Sequence, residues 1–229
     1  MKHIFVAIAL LVGLSPFAWA QCRDNVVLVH GNTSSPSSWN NTREQLHAQG
    51  YTDTQIFAPN WGSKTCASCN DHNGSEELPV REAILDAINQ SCSGKIDIIG
   101  HSMGVTLAAQ QVYKLGVSAD VDAFVGIAGA LRGLLSCGVY PYNVWNSTCG
   151  YHGLSVSSPF LDGLYGQQFA NRVYSIKSYA DQVVCATGSC YVYGIHSSRI
   201  WHETATFTYA LGHFGLQTET AVKQVSLIQ

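Results

Sequence analysis

The sequence predicts an α/β domain built on a doubly wound, mostly parallel sheet. Three observations lead there. Short runs such as Val26-Val27-Leu28-Val29, and Ala123-Phe124-Val125-Gly126-Ile127 within the strand that Asp122 opens, are apolar at successive positions, as strands buried on both faces must be. Segments with apolar residues at helical spacing alternate with them, the pattern of a sheet covered by helices. Finally, Gly100-His101-Ser102-Met103-Gly104 lies between a β-branched run, Lys95 to Ile99, and a helical stretch from Val105 to Leu115 closed by Gly116. Ser102 is therefore expected on a sharp strand-to-helix turn.

The chain has 229 residues, a net charge of −3, 46% hydrophobic and only 12% charged residues. That length suits one domain with a sizeable core. No basic block or stripe is present, which argues against nucleic acid as a partner. Residues 1–20 read as a signal peptide: Lys2 and His3 open it, an apolar run follows from Ile4 to Leu14, and Ala18-Trp19-Ala20 is an A-x-A cleavage site. The run is shorter than the roughly 20 residues a bilayer span needs. The mature chain, 21–229, is expected to be secreted and to carry no integral membrane segment. Cys22 lacks the small preceding residue of a lipoprotein signal, because Gln21 stands there.

From the N-terminus, the strand at Val26–Val29 leads into the polar loop His30-Gly31-Asn32-Thr33-Ser34-Ser35. A helix follows from about Ser37 to Gln49, ended by Gly50. Gln55 to Ala58 reads as a strand, 59–77 as a turn-rich loop, and Leu78 to Ser91 as a helix with Val80, Ile84, Leu85 and Ile88 on one face. After the turn at Ser102 and the strand at Asp122–Ile127, residues 129–171 break the pattern with Gly, Ser, Pro and the rings of Tyr140, Tyr142, Trp145, Tyr151, Phe160 and Tyr165. Because strands resume afterwards, this is an insertion over the sheet and not a linker. Its rings either form an apolar binding face or pack the insertion down. Val173 to Ser178 is a strand, Thr204 to Tyr209 a last one, and Leu216 to Leu227 a closing helix.

The eight cysteines all lie beyond the signal peptide, and an even number in an exported chain reads as disulfides. Cys137 with Cys149 and Cys185 with Cys190 would close short local loops. The pairing of Cys22, Cys66, Cys69 and Cys92 stays open. The polar surroundings of Cys66-Ala67-Ser68-Cys69 favour a structural disulfide over a redox pair or a zinc half-site, and Cys22 with Cys92 would then tie down the N-terminus.

The residue types at Ser102 carry chemistry. A serine on such an elbow has its hydroxyl pushed out of the fold, while Gly100 and Gly104 let strand and helix pack closely around it. The Met103 N–H, at the start of a helix, can stabilise an oxyanion. A serine needs a base, and the base a carboxylate. On a sheet of this kind the order along the chain is serine, acid, histidine. Ser102, Asp181 and His213 follow that order, each after a strand, and Gly212 and Gly215 suggest a loop around His213. Asn32, in the loop after the first strand, is the second candidate oxyanion donor. Competing groups fit less well: Asp162 lies in the insertion, Asp120 and Asp122 precede a strand, and His202 sits beside Glu203, leaving His196 as the other base by position. His30 and His101 flank backbone turns and are expected to pack or hydrogen-bond. The remaining histidines show no metal-ligand spacing, and no glycine-rich loop matches a phosphate or dinucleotide site. Neither a metal nor a cofactor is expected.

Taken together, Val27-Leu28-Val29-His30-Gly31-Asn32, Asp97-Ile98-Ile99-Gly100-His101-Ser102-Met103-Gly104, Asp181 and Gly212-His213-Phe214-Gly215 resemble the α/β-hydrolase lipases. The spacing is similar to that of small bacterial secreted lipases without a large lid. Ala128 to Cys137, Thr148-Cys149-Gly150 and Asp181 to Thr187 are closer still to the lipase-like extracellular polyhydroxyalkanoate depolymerases. The resemblance spans Val26 to His213. It implies a minimal α/β-hydrolase fold, Ser102 as nucleophile, Asp181 as acid, His213 as base, and disulfides at Cys137–Cys149 and Cys185–Cys190. It also implies a lipid or polyester substrate met at an interface. Those depolymerases carry extra segments between acid and histidine, whereas here 32 residues separate Asp181 from His213. This favours general lipase or esterase action over polymer specificity. A rival within enzymes is an amidase, and a rival outside them is a non-catalytic binding module on the same fold. The sequence leaves the oligomeric state open.

Overall fold

A computed structural model describes residues 22–142 and 146–229. The expected signal peptide and Trp145 lie outside the described residues. The chain runs β1 (Asn25–Val29), α1 (Asn40–Ala48), β2 (Ile56–Phe57), α2 (Glu77–Gln90), β3 (Ile96–His101), α3 (Met103–Leu115), β4 (Val121–Ile127), β5 (Leu134–Val139), β6 (Ser155–Val156), α4 (Pro159–Gly163), β7 (Arg172–Lys177), β8 (Tyr191–Val192), β9 (Ile195–His196), β10 (Ala205–Thr208), α5 (His213–Glu219) and α6 (Ala221–Ser226).

Six strands form the main sheet in the order β10-β7-β4-β3-β1-β2, and every neighbouring pair is parallel. Parallel neighbours need long crossovers, which the helices supply. Alternate residues of each strand enter different cores. Val27, Val29, Ile96, Ile98 and Phe124 pack with α2 and α3 on one face. Val26, Leu28, Ile99, Ala123 and Val125 pack with Trp39, Leu46 of α1, Leu216 of α5 and Val225 of α6 on the other. This is why the strands read as continuous apolar runs.

α3 is buried from Met103 to Val112, because the insertion covers the side that faces away from the sheet. Removing a whole side chain such as Leu107 from water contributes about 1.5–3 kcal/mol. Gly116 ends the helix in the left-handed conformation, φ 69°, which suits a residue without Cβ.

The insertion is held by the parallel pair β5 and β6, by α4, and by the Cys137–Cys149 disulfide. Its rings divide between the two expected roles. Phe160 is buried and stacks on His72 at 4.0 Å between ring centres, while Tyr142, Tyr151 and Tyr165 are exposed. A second excursion, between β7 and β10, carries the small antiparallel hairpin β8–β9 and the Cys185–Cys190 disulfide. This hairpin is not legible in the sequence, since its strands are two residues each. The other cysteines pair as Cys22–Cys92 and Cys66–Cys69. The sulfur of Cys22 is thus bonded within the protein.

The closing helix differs from expectation. It starts earlier, at His213, and breaks in two. Gly212 is extended, φ −69° and ψ 171°, and acts as the cap, so His213 is the first residue of α5 and not part of a loop. The break falls at Thr220, whose hydroxyl turns back onto the Leu216 carbonyl at 2.6 Å. Hydroxyl side chains that bond back to the preceding turn bend helices in this way. Among the described residues, no helix is long and apolar enough to cross a membrane.

Candidate active site

Ser102 lies between the end of β3 and the start of α3, with φ 55° and ψ −129°. Such backbone geometry costs a non-glycine residue about 1–3 kcal/mol and must be enforced by its surroundings. Here the Ser102 N–H donates to the Ile127 carbonyl at 2.8 Å, and the Ser102 carbonyl accepts from Val105 N–H at 3.0 Å. The flanking glycines allow the crowding. A Cβ on Gly104 would stand 2.3 Å from the His30 carbonyl oxygen, and one on Gly100 would stand 2.9 Å from Val105 Cα. Only bare backbone lets α3 approach β1 and β3 so closely.

The other two expected residues converge on the serine. His213 Nε2 accepts from the Ser102 hydroxyl at 2.9 Å. The opposite ring nitrogen, Nδ1, donates to Asp181, whose two oxygens both lie 2.9 Å away. This tautomer follows from the partners, since a carboxylate can only accept. Asp181 follows β7, and its Oδ1 also accepts the N–H groups of Val183 and Val184, each at 2.9 Å. Both side chains are almost wholly buried. Burial alone would raise the Asp181 pKa, but the hydrogen bond and charge of His213, with the two N–H donors, outweigh it and hold the pKa below the usual carboxylate value.

Two further residues fix the base: Gln182, to which the sequence assigned no role, and His101, expected to pack or hydrogen-bond. The Gln182 side chain accepts the His213 backbone N–H at 3.0 Å. His101 Nε2 donates to the His213 carbonyl at 3.1 Å. Burial and the neighbouring His213 push the His101 pKa down to about 3, so this imidazole is neutral and acts as a fixed donor. Adjacency to Asp181 was the one signal that could have singled out Gln182.

The loop after β1 is built against the serine. A Cβ on Gly31 would meet Ser102 Cβ and His101 Nδ1 at 3.0 Å each. His30 is buried, stacks on Trp61, donates from Nδ1 to the Gly31 carbonyl at 2.8 Å, and accepts from Lys64 Nζ at 3.2 Å. Burial lowers its pKa to about 4. The Asn32 side chain donates to the Ala67 carbonyl at 2.9 Å and accepts from Asn70 Nδ2 at 2.6 Å. The segment closed by Cys66–Cys69 therefore buttresses the backbone of Asn32. Met103 opens α3, and its N–H has no carbonyl behind it in the helix.

These groups line a cleft of about 180 Å³, with Asn32, Ala67, Ser102, Val183, His213 and the exposed ring of Phe214 at its walls. A larger hollow of about 420 Å³, walled by Arg132, Tyr165, Tyr193 and Trp201, shares none of the cleft's residues. The reactive geometry is in the smaller space. The competing groups lie elsewhere: His196 bonds the Ser178 carbonyl, His202 bonds the Gly166 carbonyl, Asp162 lies in α4, and Asp122 is at the opposite end of the sheet.

The arrangement can deprotonate a serine beside the free N–H at the start of α3. Comparisons with known proteins bear on the fold and the family. The structure is similar to one of the two metagenome-derived lipolytic enzymes LipS and LipT, with TM-score 0.61 and 17% identity over 90% of this chain and 94% of that one. It is similar to the lipase BlEst2 of Bacillus licheniformis in its mature form, with TM-score 0.60 and 13% identity over 91% and 93%. An esterase of Pyrobaculum calidifontis gives TM-score 0.61 and 15% identity over 90% and 76%. At these identities the likeness establishes the α/β-hydrolase fold. The sequence itself goes further, because residues 23–226 match the family described as Lipase (class 2). The chain belongs to the class 2 lipases, a family of carboxylic ester hydrolases.

Proposed function

We propose that this protein is a secreted serine hydrolase that cleaves lipid or polyester ester bonds through an acyl-enzyme. The observation that carries the reading is the continuous hydrogen-bond chain from Ser102 Oγ through His213 to Asp181, each link 2.9 Å. His213 takes the Ser102 proton at Nε2 while Oγ attacks the ester carbonyl. Asp181 holds the ring and stabilises its charged form. The N–H groups of Asn32 and Met103 receive the oxyanion. His213 then protonates the leaving alcohol, and water, activated by the same ring, hydrolyses the acyl-enzyme. No cofactor enters this scheme. Four disulfides suit an oxidising compartment, which supports export after removal of residues 1–20.

The cleft shape favours a short acyl unit. At about 180 Å³ it is smaller than the ~300–1,000 Å³ sites that enclose drug-sized ligands. A long chain would have to run along the surface, past Phe214. The same shape supports the second reading, an extracellular polyhydroxyalkanoate depolymerase, whose substrate presents short hydroxyacyl units.

The test is turnover of p-nitrophenyl esters from acetate to palmitate by the purified, oxidised protein, followed by weight loss of polyester films. We expect a short-chain optimum and loss of about 10⁴–10⁶-fold in kcat for Ser102→Ala. Weight loss of films would select the depolymerase reading. A folded wild type that hydrolyses no ester would overturn the proposal in favour of an amide substrate or a binding module.

A further inference from the structure

The amino end of the sheet, opposite Ser102, holds a second cluster of titratable groups. Asp24 immediately precedes β1, Asp97 is the second residue of β3, and Asp122 is the second residue of β4. β1 and β4 flank β3, so the three meet. The register brings Asp122 in. Ile96 is opposite Val121 but Asp97 is opposite Ala123, leaving Asp122 as an extra residue in β4. A bulge of this kind re-aims a side chain.

One oxygen from each carboxylate lies within 4.8 Å of the other two. Ligands that share a calcium ion sit 2.3–2.6 Å from it, so two of them are at most about 5 Å apart. The decisive group is Asp97, which is 1% exposed. Its Oδ1 accepts the Ala123 N–H at 3.0 Å, while its Oδ2 is buried without a hydrogen-bond partner. Asp122 Oδ2 accepts from Arg172 at 2.6 Å, and Asp24 Oδ1 accepts from Ser93 Oγ at 2.6 Å. With all three ionised, three carboxylates against one guanidinium leave two negative charges. An uncompensated buried charge is strongly destabilising, and a cation removes that penalty.

We propose that Asp24, Asp97 and Asp122 bind a hard divalent cation, with calcium as the best match. The donor set is all oxygen, which excludes the softer metals that prefer nitrogen or sulfur. Asp24 and Asp122 are only half-buried, leaving room for the water that completes a calcium shell. The site is structural. Asp97 and Ser102 are five residues apart on one strand, about 16 Å at 3.3 Å per residue. The ion would join the ends of β1, β3 and β4 beside the Cys22–Cys92 disulfide, since Ser93 follows Cys92 directly.

The test uses the purified, oxidised protein stripped with a chelator, with thermal unfolding followed at neutral pH as calcium chloride is added. At about a hundred-fold above the Kd we expect Tm to rise by roughly 5–10 °C. Asp97→Asn preserves the acceptor for Ala123 N–H, and Asp24→Asn alters a half-buried position. Both variants should fold, hydrolyse p-nitrophenyl butyrate at the wild-type rate, and lose the calcium-dependent rise. A wild type whose Tm does not respond to millimolar calcium would overturn the proposal, as would an undiminished rise in both variants.

Discussion

The two ends of one strand, β3, show opposite treatments of buried charge. At its carboxyl end the ionisable groups of the hydrogen-bond chain are paired: Asp181 accepts three N–H donors, both nitrogens of His213 are engaged, and beside them only the neutral His101 ring keeps a buried nitrogen, Nδ1, without a partner. At its amino end three carboxylates face one another, and one oxygen of Asp97 has none. The lesson is that a low dielectric strengthens whatever arrangement it encloses. Paired groups become a preorganised catalytic set, while unpaired ones become a demand for a cation or a proton. The chain from Ser102 through His213 to Asp181 is complete in the protein alone. The arrangement at the amino end is completed from solution.

Breaking the complete end should have the larger effect. Asp181→Asn keeps an acceptor for Val183 and Val184 N–H but removes the charge that orients and stabilises His213. We expect kcat for a soluble ester to fall about 10⁴-fold with KM little changed. A loss under tenfold would show that His213 is oriented by Gln182 and His101 alone. Next in size is the backbone that supports the elbow. Gly104→Ala places a methyl 2.3 Å from a main-chain oxygen that cannot move aside. It should destabilise the fold by about 3 kcal/mol, read from urea unfolding. Gly163→Ala, where a Cβ meets nothing within 4 Å, is the control and should stay within about 0.5 kcal/mol of wild type.

The same comparison explains what was legible in the sequence. The carboxyl end could be read because its chemistry is local: Ser102 is framed by glycines within two residues, and Asp181 and His213 each mark the end of a strand. The parallel sheet could be read because burial on both faces leaves uninterrupted apolar runs. The amino end could not. Asp24, Asp97 and Asp122 belong to three strands, and a one-residue bulge that no motif announces brings Asp122 into line. A search for histidine and cysteine spacings passes over such a site. The start of α5 at His213 was hidden for a related reason, because Gly215 argues for a loop when read alone and is tolerated once Gly212 caps the helix.

Acid should also separate the ends. His30, His72 and His101 are buried neutral, with pKa values lowered to about 4, 3 and 3. Unfolding returns them to about 6.5, so between there and their folded values the unfolded chain binds more protons. Stability is therefore full above pH ~6.5 and is lost as pH falls through this window, by about 2 kcal/mol per histidine at pH ~5. Asp181, with its lowered pKa, adds its own loss only below pH ~4. At the amino end Asp97, pushed up to about 8 by burial, holds about one proton in the folded state over the same window and opposes the histidines, so urea unfolding of Asp97→Asn at pH 7 and pH 5 isolates the histidine slope. A value under one proton would contradict the neutral, buried state of these rings.

The smallest effect concerns the buttress of the loop after β1, whose Asn32 N–H we propose as an oxyanion donor. Asn70 is buried, and its side chain is fully used. It donates to Asn32 Oδ1 at 2.6 Å and to the Ser63 carbonyl at 3.0 Å, and it accepts the Ser63 N–H at 2.7 Å. It touches neither Ser102 nor the cleft, so any effect on turnover must pass through Asn32. In Asn70→Ala the Asn32 side chain loses one of its two anchors, and the N–H it positions samples a wider range. An oxyanion donor acts on charge that develops in the transition state. The loss should therefore appear in kcat, about tenfold, with KM unchanged, while Tm drops by several degrees because Ser63 N–H is left unpaired. If Tm falls and kcat does not, the buttress is structural only, and the backbone of Asn32 is held by Gly31 packed against Ser102.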